Sequence, residues 1–104
     1  MQSLTAARFS VLARVLADEA RRRGLRPPGF RSPPRLPGAR RTIRRSGDAA
    51  VVAVSRADRP ADAVVADMVE GVLVANGVTG ADADRWRDEL AASVKLECPR
   101  IPTG

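Results

Sequence analysis

Five prolines and two glycines crowd residues 25–39 (LRPPGFRSPPRLPGA), and this block sets what the chain can build. Proline fixes φ, lacks an amide hydrogen and drives the residue before it away from helical geometry. Regular helix and regular sheet are both excluded across such a stretch. The expectation is an extended connector with polyproline-II character, anchored on the core by Phe30 and Leu36. Regular elements must therefore come from the segments on either side.

The segment before it reads as a helix from about Leu4 to Arg23. Phe9, Leu12, Leu16 and Ala20 recur at helical spacing, and Val11 and Val15 widen that stripe. Ser3 is the candidate N-cap, because a serine hydroxyl can accept from an unpaired first-turn amide. Arg21, Arg22 and Arg23 complement the carbonyl end of the dipole, and Gly24 suits the left-handed exit.

After the connector, Arg40–Arg45 and Ala49–Arg56 read as two strands joined by Ser46-Gly47-Asp48. Gly47 supplies the positive φ of a tight hairpin turn. The first strand has one large apolar residue, Ile43, among arginines and suits a sheet edge. The second (Val51, Val52, Ala53, Val54) is apolar on both faces, which predicts cover on each side. A helix then begins around Asp58-Arg59-Pro60, with Val64, Val65, Met68, Val69, Val72 and Leu73 as its buried stripe, and stops at Asn76-Gly77. Gly71 within it carries a cost of about 1 kcal/mol against alanine, which suggests a close approach by another element or across a dimer interface. Thr79 opens a third helix to about Leu96, with Ala83, Trp86, Leu90 and Val94 facing inward.

The order is α-β-β-α-α: a small α+β domain over residues 1–96, with a two-stranded antiparallel hairpin packed against the N-terminal helix and a C-terminal helical hairpin. Residues 97–104 read as a loose tail. The chain's 104 residues fit one domain. Hydrophobic residues make up 44% but aromatics only 3%, so the core must come from Val, Leu and Ala.

Charge is distributed unevenly. Through Gly47 there are twelve arginines against Asp18 and Glu19, a balance of +10. From Asp48 onward six basic residues face ten acids, a balance of −4, and the halves sum to the net +6. A GC-rich coding bias explains arginine's excess over lysine, yet it would enrich aspartate equally and does not explain the asymmetry. The basic half suggests an anionic partner.

Chemistry is constrained by what is missing. The sequence has no histidine and no tyrosine, which removes the commonest general acid-base group and rules out Ser-His-Asp and Cys-His arrangements within one chain. Asp82 with Asp84, and Asp88 with Glu89, lie at helical offsets that diverge rather than converge. One cysteine, Cys98, falls far short of a zinc ligand set. The expectation is a non-enzymatic protein with no cofactor, metal or small-molecule substrate. A lone cysteine is consistent with a reducing, cytoplasmic setting. The longest apolar stretch, Ala63–Ala75, is interrupted by Asp67 and Glu70 and is too short to span a bilayer; no secretory signal is expected.

The candidate binding residues are Arg31, Arg35, Arg40, Arg41, Arg44 and Arg45, on the connector and the first strand. Nucleic acid ranks first as partner, through phosphate contacts. The alternative is a protein-interaction or homodimer module using the Val-rich helix and the edge strand. A third account pairs these arginines internally with the acidic faces of the last two helices. The β-α-α order of residues 49–96 resembles that of ribbon–helix–helix repressors, but the strand is apolar where that family exposes polar base-reading side chains. A helix-turn-helix reading of residues 60–96 meets Asp82, Asp84, Asp88 and Glu89 on what should be a basic recognition helix. Arg31 to Pro37 also matches the R-x-x-P-x-x-P spacing of peptides that dock in aromatic grooves.

Overall fold

The computed structural model describes residues 4–36, 41–56 and 59–97, the side chains of Leu96 and Glu97 excepted. Its elements are α1 (Ala6–Arg22), β1 (Gly29–Arg31), β2 (Arg41–Ser46), β3 (Ala49–Val54), α2 (Ala61–Ala75) and α3 (Gly80–Glu97). The fold is α+β, as expected, but with three strands.

The additional strand lies inside the proline block. β1 pairs in parallel with β3, placing Gly29 opposite Val51, Phe30 opposite Val52 and Arg31 opposite Ala53. Regular sheet is thus tolerated there, because the strand occupies the short gap between Pro28 and Pro33 and lies at an edge. At an edge only one side of the backbone needs hydrogen-bond partners, so flanking prolines cost little. β2 pairs antiparallel with β3, and the sheet order β1-β3-β2 puts the apolar strand at the centre. Ser46 faces Ala49 across a two-residue turn in which Gly47 has φ +60°.

One face of this sheet is packed. Val52 and Val54 are fully buried, and their cross-strand neighbours Phe30 and Ile43 pack against the same core. The cover on both sides expected of β3 is not found: Val51 is 37% exposed, and Ala49 is exposed as well. Helix α2 lies on the inner face, and α3 packs on both α1 and α2. α1 reaches the sheet through Phe9, whose ring meets Phe30 edge-on at 6.4 Å.

The helix ends show which side chains terminate each element. Thr5, not Ser3, caps α1: its Oγ1 accepts from the Arg8 amide at 3.2 Å. Ser3 lies outside the described residues, as do Asp58 and the tail from Cys98 to Gly104. Gly24 takes φ +75° just past α1. Pro60 stands at the N-cap of α2 rather than inside its first turn. Asn76 ends α2 and ties it to the connector, its side chain accepting from the Arg26 amide at 2.7 Å and donating to the Arg26 carbonyl at 2.9 Å. No helix of the described residues is long and apolar enough to cross a membrane.

Gly71 explains how closely α2 sits on the sheet. A Cβ there would lie 2.5 Å from Val52 Cγ1 and 3.1 Å from Cγ2. The close approach is therefore to β3 within the chain, and not to a second copy. Val52 is buried and β-branched, so it has little freedom to yield. Gly71→Ala is expected to lose at least about 1 kcal/mol in urea denaturation, overpacking outweighing a helix-propensity gain of about 1 kcal/mol. Val52→Ala should relieve part of that loss in a double-mutant cycle. A stabilised Gly71→Ala variant would contradict this packing.

Candidate anion-binding face

β-Strand alternation sorts the arginines. Side chains of Arg31, Thr42, Arg44, Val51 and Ala53 share the uncovered face of the sheet, by register with β3. With Pro33, Arg35 and Leu36 they line a hollow of about 290 Å³. Its floor is short and apolar, and its rim is cationic. Arg31 and Arg44 stand on strands either side of β3, so their backbones are separated by two strand spacings, about 10 Å. Leu36, expected to anchor the connector on the core, is half-buried against this outer hollow instead.

Three of the six candidates, Arg31, Arg35 and Arg44, therefore line one hollow. Arg45 does not. It points toward α2, donating to the Val74 carbonyl at 2.8 Å and the Ala75 carbonyl at 3.2 Å. The last turn of α2 contains no basic residue of its own, and the hairpin supplies the cation that its carbonyl end attracts. Arg41 is half-buried and shares the parity of Ile43 and Arg45, away from the hollow. Arg40 lies outside the described residues. The sequence lacked the register that separates neighbours such as Arg44 and Arg45.

Internal pairing with acids is extensive among the described residues, and Arg23, Arg59 and Arg87 make much of it. Arg23 donates to Glu19 at 2.8 Å and to Glu89 at 3.2 Å, tying α1 to α3. Burial pulls the Arg23 pKa down, yet the hydrogen bonds to Glu19 and Glu89 outweigh it and the pKa is raised. Arg87 spans from α3 to Glu70 of α2 at 2.8 Å and also meets Asp84, and those hydrogen bonds raise its pKa too. Arg59 pairs with Asp67 and donates to the Ser55 carbonyl. Among the described residues, Arg31, Arg41, Arg44 and Arg45 hold no carboxylate.

The described part of the R-x-x-P-x-x-P segment, Arg31 to Leu36, is tied into the fold, and Pro37 lies outside the described residues. Arg31 lies in β1, Arg56 Nε donates to the Ser32 carbonyl at 3.0 Å, and Ser55 Oγ donates to the Pro34 carbonyl at 3.4 Å. A second hollow, of about 350 Å³, lies beside the hairpin turn. Its two arginines already donate to backbone carbonyls, Arg26 to Asp48 and Arg45 to Val74 and Ala75, and the Asp48 side chain also lines it. It is the poorer anion site. No family model, curated protein or solved structure matches this chain.

The two neighbouring arginines should behave differently on truncation. Arg45→Ala is expected to lose about 1 kcal/mol of unfolding free energy, because two helix-end carbonyls lose their donor. Arg44→Ala should stay within about 0.5 kcal/mol of the parent. Thermal or urea unfolding of both variants distinguishes them; equal losses would contradict the assigned register.

Proposed function

We propose that this chain is a non-catalytic binding domain whose open sheet face docks on the phosphate backbone of nucleic acid. The observation that supports this is the pairing of two exposed arginines, Arg31 and Arg44, across an uncovered strand, with no carboxylate held by either among the described residues. Arg35 extends the same cationic rim. Phosphates released from their counterions by such side chains give salt-dependent, largely sequence-independent affinity. A net charge of +6 adds long-range attraction. The sheet fixes the backbone positions from which these side chains reach, so binding has only the side chains to order. A cytoplasmic setting belongs to this reading, and a single cysteine, which forms no internal disulfide, is compatible with it.

The alternative is protein assembly through the outer edge of β2, which the sheet order leaves unpaired among the described residues. The Val-rich face of α2 contributes little to it, because Val64, Val69 and Val72 are buried in the core. Pairing with a second copy along β2 would also set two strands that each carry Arg41, Arg44 and Arg45 side by side, and like charges across strands destabilise. The phosphate-binding reading is therefore the better supported.

Electrophoretic or anisotropy titration against mixed-sequence nucleic acid over a salt series tests it. Binding should weaken steeply with salt, and Arg31→Ala and Arg44→Ala should each reduce the log–log slope by about 0.9. Arg21→Ala with Arg22→Ala, which removes exposed arginines paired to Asp18 and Glu19, should change affinity little. Binding that is absent at low salt, or indifferent to Arg31 and Arg44, would overturn the reading.

A further inference from the structure

Aromatic side chains are the usual means by which proteins hold unstacked bases, and the chain has only three: Phe9, Phe30 and Trp86. None is on the candidate face. Phe9 is buried, and its ring meets that of Phe30, which packs against the core side of the sheet. Trp86 lies on α3, with the Arg23 guanidinium 5.8 Å and the Arg85 guanidinium 5.0 Å from its ring centre. The floor of the hollow is made by Val51, Ala53, Leu36 and Pro33 instead, with Thr42 as its one hydroxyl. Such a floor offers splayed bases neither a stacking platform nor a set of edge-reading groups. What the face does offer is cations rooted on β1 and β2, on either side of β3.

We propose that this face takes double-stranded nucleic acid in preference to single strands. The inference rests on the reading of the face as a phosphate-binding surface and adds the form of the partner. A duplex presents phosphates at fixed relative positions, which suits arginines rooted on two strands either side of β3. It also presents charge at about 1.7 Å per phosphate along its axis, against about 3.4 Å for one of its strands. A single strand binds well when its bases stack on aromatic side chains, and this face carries none. The same features fit DNA and RNA duplexes, because backbone contact requires no base identity.

The test is an anisotropy titration of the full chain against a short mixed-sequence duplex and its separated strands, for DNA and for RNA, at low salt. At least one of the two duplexes should bind about fivefold or more tighter than its strands. A ratio below that for both, or tighter single-strand binding, overturns the duplex preference and leaves the phosphate-binding reading intact. Failure of both forms to bind removes that reading and this one with it. A second arm uses Val51→Tyr, which places a ring on the outer face while keeping a strand-favouring residue. The folded variant, checked by circular dichroism, should gain about threefold or more in single-strand affinity and none for duplex. No gain for single strands would mean that nucleic acid binds elsewhere, which also overturns the proposal.

Discussion

The contact between Val52 of β3 and Gly71 of α2 sets the rest of the arrangement. Helix and strand approach so closely there that a methyl group would not fit. This drives the even-numbered side chains of β3 into a core shared with Met68, Val69 and Val72. One strand, buried on one side, then positions both its neighbours. β2 reaches it through a two-residue turn, and β1 fills its other side from within the proline block. Because all three helices lie on the packed side or behind it, the opposite side of the sheet has no helix to cover it.

That bare side determines which arginines are available to a partner. Arg23, Arg59 and Arg87 are taken up by carboxylates that join one element to another, and Arg45 and Arg56 by backbone carbonyls. These are structural uses of a guanidinium, whose several donors can serve two elements at once. Arg31 and Arg44 have no such duty among the described residues. The high arginine content therefore divides into cross-links within the fold and a smaller outward-facing set.

The helices were legible in the sequence because their apolar residues recur with helical period, and the first two carry glycine or asparagine at their exits. Phe9, Leu12, Leu16 and Ala20 are buried as that period requires, and so are Leu90 and Val94. The hairpin was legible too, since Gly47 fits a tight turn between strands of unlike polarity. β1 was not, because a three-residue parallel edge strand leaves no periodic signal and its flanking prolines point the other way. The single-sided cover of β3 was hidden for a related reason: alanine and valine are tolerated on an exposed face, so apolar character alone does not report burial. The candidate site was legible as a cluster but not as a surface. Arg44 and Arg45 are adjacent in sequence and face opposite sides of the sheet, and only the register with β3 separates them.

The central claim, that β3 is packed on one side and bare on the other, is tested most directly by thiol accessibility. Cysteine would be placed at position 51 or 52 in a background carrying Cys98→Ser, and the rate of modification by a soluble thiol reagent measured under native conditions. The account requires a thiol at 51 to react at close to the rate of an unfolded control, and one at 52 to react about 100-fold or more slowly, through opening of the fold. Equal protection at the two positions would contradict it, since something would then cover the face on which Arg31 and Arg44 stand.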